Sequence, residues 1–184
     1  RLATDEDARM RRDESVAAVL GLTTVSSAVK AAALLLEIAK DDAAALVDRH
    51  DASEREALLH SLGIAPGGAV PQALRSQLKT LEEDQKRRAT RSLRDAVDRI
   101  LVDVMSVLRD VLMLQVNAGV ELVNQRHIEG IEARAAVTTP DLTLAALDAL
   151  GAARTAMAGN SPPLLVLEAL LINASGRVPF SRQD

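Results

Sequence analysis

Apolar residues recur at steps of three and four along most of this 184-residue chain, and that spacing is the periodicity of amphipathic helices. The clearest helix start is Thr139-Pro140-Asp141, with a capping threonine and a proline in the first turn. Helix ends coincide with glycines such as Gly63 and Gly176. The pattern predicts helical segments at about 4–12, 14–20, 24–50, 53–62, 72–117, 124–137, 139–158 and 161–176.

The segment 72–117 is predicted to be one long helix with apolar ends and a polar middle. Residues 82–92 carry polar side chains on every side, which is typical of a solvent-exposed helix held by its own ion pairs. The stretch 64–71, which contains two prolines and two glycines, is predicted to be a loop. The ion pairs expected at four-residue spacing are Glu82–Lys86, Glu83–Arg87 and Asp84–Arg88.

Composition indicates the fold class. Hydrophobic residues make up 48% of the sequence but aromatic residues only 1%, and Phe180 is the single aromatic residue. The core is therefore expected to be aliphatic, which suits helix-on-helix packing better than a β-sandwich. Because no segment has the pattern of a strand, we predict an all-α helical bundle with one long, partly exposed helix.

Charge and cysteine content narrow the possible environments. The net charge is −4, so the chain as a whole does not attract nucleic acid strongly. There is no cysteine, which excludes disulfides and thiolate zinc sites, and no apolar run approaches the roughly 20 residues that span a bilayer. The first residues, 1–4, are unlike a signal peptide. We expect a cytoplasmic protein without a membrane span, whose chain begins inside a longer polypeptide.

Known motifs for metal or phosphate binding are absent from the sequence. His50, His60 and His127 are far apart and lack the spacing of metal ligands. The pair Gly67-Gly68 is not followed by Lys-Ser or Lys-Thr, so it does not match a phosphate-binding loop. We therefore expect no metal-binding and no cofactor-binding residue.

The long helix carries four carboxylates, and paired carboxylates can act in acid–base catalysis. Arginines lie four residues from several of them, so an ion-pair ladder explains these acids better than catalysis does. No serine has a histidine and a carboxylate suitably placed for a nucleophilic triad, and we predict no catalytic residue. The four carboxylates are Asp95, Asp98, Asp103 and Asp110.

A basic cluster lies in the polar part of the long helix. Arg87, Arg91 and Arg94 share one helix face, where they could contact a phosphate backbone, and Lys86 and Arg88 lie beside them. No aromatic residue is interleaved for stacking on single-stranded nucleic acid, and acids flank the cluster. We favour a protein contact or a solvated face, and the alternative is a helical DNA-binding or regulatory domain that uses residues 86–94.

Three stretches together resemble one family, the delta-prime subunits of the clamp loader of bacterial DNA polymerase III. Residues 1–9, RLATDEDAR, are similar to the end of the lid region of those subunits. Residues 81–91, LEEDQKRRATR, are similar to their long-helix segment. Residues 160–171, NSPPLLVLEALL, are similar to the last collar helix of clamp-loader subunits. The order and spacing of the three stretches carry the resemblance, which extends over nearly the whole chain.

The resemblance implies a domain order and a scaffolding role in DNA replication. Residues 1–20 would end a lid-type helical region, 21–176 would form a helical collar domain, and 177–184 a disordered tail. In that family, the collars of five subunits pack into a ring that keeps the loader together while it opens and closes a sliding clamp. ATP hydrolysis takes place elsewhere in the complex. The implied partners are the other clamp-loader subunits, and no cofactor is implied for this chain.

The last two predicted helices are the expected source of a partner surface, since apolar faces left over after core packing bind other proteins. Leu167 and Leu170 are the candidate contacts there. On the long helix, the candidate contacts are Arg87, Arg91 and Arg94. Periodicity identifies these faces but does not show what covers them.

Overall fold

The computed structural model describes residues 2–63, 71–72 and 75–176. In these ranges the regular structure is helical and no strand occurs, which confirms the predicted all-α class for the described part of the chain. Most of the predicted loop at 64–71 and the predicted tail lie outside the described residues. The helices are α1 (Leu2–Leu20), α2 (Val25–Ser61), α3 (Arg75–Gln115), α4 (Ile128–Val137), α5 (Pro140–Ala158) and α6 (Pro163–Ala174), with a 3₁₀ turn (Gln125–His127) before α4.

Most helix ends lie close to their predicted positions, but two predicted breaks do not occur. The segments 4–12 and 14–20 belong to one helix, α1, and α2 continues through the restart predicted at Ser53. Neither place has a proline or glycine, so nothing in the backbone stops the helix. The start of α2 is capped reciprocally, because Thr24 Oγ1 accepts from the Ser27 amide and Ser27 Oγ accepts from the Thr24 amide.

The chain divides into two compact units whose boundaries cut through α2 and α3. The core unit consists of residues 1–38 and 97–184, and the hairpin unit consists of residues 39–96. This division differs from the boundary predicted after residue 20. Helix α1 packs on α4 within the core unit, and Val16 and Val19 of α1 are buried there, so α1 shares the hydrophobic core of that unit.

An aliphatic core holds the core unit together, as its composition predicts. Valines of α1 and α3 fill the space between larger side chains, and each fully buried aliphatic residue stabilises the fold by about 1.5–3 kcal/mol. The larger fully buried side chains are Leu35, Leu101, Leu108, Ile131, Leu167, Leu170 and Leu171.

Two residues of α4 fix its position in the core unit. A Cβ at Gly130 would lie 2.9 Å from Leu20 Cδ1, so any larger residue at this position would require the Leu20 side chain to shift. The buried Arg134 guanidinium donates to the main-chain oxygens of Leu22 and Ala174, which lie at the ends of α1 and α6. Burial lowers the pKa of Arg134, and the partial negative charge at the ends of the helices offsets part of the cost of burying the cation.

The hairpin unit has a much smaller apolar core. The second half of α2 and the first half of α3 run antiparallel, as shown by hydrogen bonds from Ser92 to Ala43 and from Arg55 to Glu82. Small side chains dominate the buried positions among the described residues of this unit. The buried apolar residues in the described part of this unit are Ala39, Ala43, Val47, Leu78 and Ala96.

The sequence predicts that the polar segment 82–92 of α3 is held by its own ion pairs, but in the structure it is also held by contacts with α2. It lies against α2 within the hairpin unit, where Gln85 Nε2 donates to the main-chain oxygen of Asp51 at 2.9 Å. Arg55 Nη1 also donates to Glu82 Oε1 at 2.8 Å, so both contacts join the two helical segments. A helix that is polar on every side is thus supported by polar contacts to a neighbouring helix.

The ion pairs predicted along α3 are replaced by others. Asp84 pairs with Arg87 at 3.3 Å, and Glu83 lies 4.0 Å from Lys79. Four-residue spacing permits several partners for each charge, and the acids of α2 compete for the same arginines. Arg88 in particular pairs with α2 instead of Asp84.

Leu167→Ala is expected to lower the free energy of unfolding by about 2–5 kcal/mol, because it leaves a cavity in the core. Leu167 is 0% exposed, whereas Leu165 on the same helix is 59% exposed. Leu165→Ala is therefore the matched control, with an expected change below about 0.5 kcal/mol. Urea unfolding followed by circular dichroism measures both, and equal effects would contradict the placement of α6.

Candidate functional site

Helices α5 and α6 form a helical hairpin with a tight turn. Asn160 in that turn has a φ of 65°, a left-handed conformation that asparagine tolerates better than most residues. Thr139 caps the start of α5 by accepting from the Leu142 amide, and Pro163 occupies the first turn of α6. These local signals set the two helices side by side and position the surface between them.

An open apolar groove of about 370 Å³ lies between α5 and α6. Four alanines of α5, at positions 149, 152, 153 and 156, form one wall. Leu165, Val166 and Ala169 belong to the wall formed by α6, and none of the lining residues is charged. Leu165 is 59% exposed, so the groove presents apolar surface to solvent. Such a surface is typical of a protein-binding site.

The structure places the two predicted leucine contacts in the core. Leu167 and Leu170 are 0% and 1% exposed, because the face of α6 that carries them is covered by the rest of the core unit. Leu170 reaches the bottom of the groove, whereas Leu164 and Leu165 on the other face of α6 are the exposed leucines. The apolar surface that α6 exposes therefore consists of neighbouring residues that were not among the predicted contacts.

The arginines predicted as partner contacts belong to the hairpin unit. Arg87, Arg91 and Arg94 are exposed, and Arg87 pairs with Asp84 of the same helix at 3.3 Å. Arg88 is held by acids of α2. Pairing with acids lowers the positive potential that a phosphate backbone would encounter, so the cluster is a weaker nucleic-acid site than its sequence indicates.

Arg88 forms a clamp with three side chains of α2. Its Nη1 lies 2.5 Å from His50 Nδ1 and 3.0 Å from Asp51 Oδ1, and its Nη2 lies 3.0 Å from Glu54 Oε2. The ligand atoms of His50, Asp51 and Glu54 lie within 4.8 Å of one another, close enough to hold a cation, and the guanidinium of Arg88 supplies one. The spacing of the three histidines does not reveal this group. The short spacing of His50, Asp51 and Glu54 along one helix does indicate it.

Arg88→Ala is expected to loosen the hairpin unit, because it leaves two carboxylates of α2 without their cation. The expected loss of stability is about 1 kcal/mol, since the Arg88 side chain is 34% exposed and the pairs are screened by solvent. Hydrogen exchange of the amides in residues 39–61 and 75–96 should become faster.

The control for Arg88 is Arg87→Ala, which removes the same side chain from the neighbouring position. Arg87 is 73% exposed and pairs only within its own helix turn, so the exchange rates should stay close to those of the unsubstituted chain. Faster exchange in both variants to the same extent would show that Arg88 has no particular role in joining the helices.

A buried carboxylate organises the segment between α3 and the 3₁₀ turn. Asp110 Oδ2 accepts from the Asn124 amide at 2.7 Å and from Asn124 Nδ2 at 2.9 Å. Asp110 Oδ1 accepts from the Val123 amide at 3.1 Å and from Arg109 Nη1 at 2.7 Å. Arg12 of α1 donates to Asn124 Oδ1 at 3.0 Å. The carboxylate thus anchors the connecting segment and, through Asn124, α1.

Burial by itself would raise the pKa of Asp110, but the hydrogen bonds from Asn124, Arg109 and Val123 together hold it below the ordinary value of 3.8. The charged form is therefore favoured by folding. Since every oxygen of the carboxylate is used within the chain, the role that the structure supports for Asp110 is architectural.

Asp110→Asn is expected to lower the free energy of unfolding by about 1.5–3 kcal/mol at neutral pH, because an amide cannot accept the same set of donors. Because the folded-state pKa is lowered, this contribution is present above the unfolded-state pKa and is lost as pH falls through the folded-state pKa. The unsubstituted chain should therefore lose more stability than the variant below about pH 4. Urea unfolding across this pH range measures the difference, with the exposed Asp148→Asn as control.

Of the remaining predicted carboxylates and histidines, Asp98, Asp103 and His127 make contacts with other helices, whereas Asp95 and His60 are exposed. Asp98 accepts from Arg154 of α5 through both oxygens, at 2.8 and 3.1 Å. Asp103 accepts from Arg12 of α1 at 2.9 Å, and His127 lies 3.0 Å from Asp13. Sequence spacing along one helix could not show these partners, which come from other helices of the core unit.

Comparisons of the chain with models of known protein families, with curated proteins and with solved structures find no match. The family resemblance described above thus remains a hypothesis. Among the described helices, none has a stretch that is both long enough and apolar enough to cross a lipid bilayer.

Proposed function

We propose that this chain is a non-catalytic scaffold module that binds other proteins through its core unit. The observation that carries the proposal is the apolar groove between α5 and α6, which exposes Leu165 beside a wall of alanines. The described polar clusters support the same proposal, because the side chains of Asp110 and Arg88 are hydrogen-bonded to other residues of the chain.

In its specific form, the proposal is that the chain acts as a clamp-loader collar that packs against the other loader subunits during sliding-clamp loading. The resemblance of residues 160–171 to the last collar helix supports this form, since those residues include the exposed wall of the groove. A collar needs an all-helical unit with apolar surface left for its neighbours, and the core unit meets both requirements.

A DNA-binding or regulatory function of residues 86–94 is the less favoured alternative. Arg87 and Arg88 already pair with Asp84, Asp51 and Glu54, so the cluster offers less net positive charge than its sequence indicates. Binding of the chain to duplex DNA with a steep dependence on salt concentration would support this alternative instead.

Leu165→Asp is expected to abolish assembly of the chain with the other subunits of a bacterial clamp loader, measured by size-exclusion chromatography of the mixture. A charge placed in an apolar interface is costly to bury, whereas the free chain should tolerate it because Leu165 is 59% exposed. Aspartate also suits the first turn of α6, so the helix itself should not unfold.

Met10→Asp is the matched control, because Met10 on α1 is 61% exposed and is remote in sequence from the groove. This variant should assemble like the unsubstituted chain, and circular dichroism should show the same helix content for both variants. If the unsubstituted chain fails to assemble with any loader subunit, the clamp-loader proposal is wrong. If Leu165→Asp assembles normally, another surface makes the contact.

A further inference from the structure

The rim of the α5–α6 groove carries two acidic side chains without a partner among the described residues. Asp148 is exposed and lies one helix turn before Ala152, on the face of α5 that lines the groove. Glu168 is half-exposed and lies three residues after Leu165, so these two side chains are neighbours on the surface of α6 at the edge of the groove. The apolar groove is therefore bordered by negative charge on both helices.

The α5–α6 hairpin itself supplies no free cation to neutralise this border. Arg154 is the single basic residue between Pro140 and Ala174, and its guanidinium is engaged with both oxygens of Asp98 on α3. The α5–α6 hairpin thus presents an apolar floor and a negative rim. Charge complementarity favours an occupant that brings its own positive charges to the two sides of an apolar stripe.

The shape and lining of the groove favour a helix over a small molecule. Small-molecule sites have several convergent polar groups that orient the ligand. The polar side chains that line this groove belong to Ser161 and Asn173, and Asn173 Nδ2 already donates to the Ala169 main-chain oxygen at 2.7 Å. The alanine wall allows a helix backbone to approach closely, and Leu165 can pack between side chains one turn apart. Such packing is typical of an amphipathic helix bound in a groove.

We propose that the α5–α6 groove binds an amphipathic helix of a partner protein that carries a leucine-type stripe flanked by Lys or Arg. The inference rests on the proposed scaffold function and adds the chemistry of the partner. Asp148 and Glu168 select the basic flanks, and the alanines with Leu165 bind the apolar stripe. The positively charged flanks also set the orientation of the bound helix.

The test measures fluorescence anisotropy of labelled peptides with the full chain. Both peptides are helical, about 18 residues or five turns long, and share one leucine stripe. One has lysines on both flanks, and the other has glutamates at the same positions. The lysine peptide should bind at least about tenfold more tightly at low salt, and the difference should shrink at about 1 M salt because the charges are screened. Equal binding of the two peptides, or none, would overturn the proposal.

Two pairs of variants locate the binding site. Ala152→Arg fills the groove and should weaken the lysine peptide about tenfold or more, whereas Ala158→Arg, at an exposed position of α5 outside the groove, should not. The double reversal Asp148→Lys with Glu168→Lys should invert the preference toward the glutamate peptide. Its control, Glu129→Lys with Glu132→Lys on α4, changes the net charge equally and should keep the preference.

The outcomes separate this inference from the scaffold function. Lysine-peptide binding that survives Ala152→Arg, or a preference that Asp148→Lys with Glu168→Lys leaves unchanged, would place the peptide elsewhere and overturn the inference. If the chain assembles with loader subunits but binds neither peptide, the scaffold function stands and the inference about the partner helix falls. Circular dichroism of each variant shows whether its fold is intact.

Discussion

Packing of aliphatic side chains between helices is the constraint on which the rest of this structure depends. With a single aromatic residue in the sequence, the core unit has to reach native packing density with leucines, valines and alanines. Because these side chains are short, the helices must approach closely. Helices α1 and α4 do so where Leu20 lies against Gly130. Close packing in turn requires that every buried polar atom has a partner, and none of the described buried side-chain atoms lacks one.

Arginine and aspartate side chains join the helices in both units, in addition to the aliphatic packing. Arg88 contacts three residues of α2 in the hairpin unit, where alanines dominate the interior. Arg154 and Arg134 make two-pronged contacts within the core unit, using the planar fork that lysine lacks. The Asp110 carboxylate accepts hydrogen bonds at both oxygens, and the donors that converge on it keep its pKa below the ordinary value. The polar contacts therefore add to the aliphatic core in holding the helices together.

The helices could be predicted from sequence because their signals are local. Thr139 with Pro140 and the glycines at helix ends act within one turn, and these ends fall near the predicted positions. The partners of charges could not be predicted, since α2 competes for Arg88 and α1 for Asp103 through contacts between distant parts of the chain. The groove was missed for a related reason: alanines at helical spacing look the same whether another helix covers them or solvent does.

Sequence does not show what covers an apolar helix face, and for this reason Leu167 was predicted to contact a partner although it is buried in the core. Helix α6 is apolar on nearly all sides, so its sequence does not reveal which face enters the core. The core unit covers the face that carries Leu167, and the face that carries Leu165 stays exposed. A helix that is apolar all round normally has neighbours all round, because each exposed leucine forgoes about 1.5–3 kcal/mol of burial. Under the proposed function, the exposed face of α6 is the surface that a partner covers, and the acids beside it would favour a partner with basic side chains.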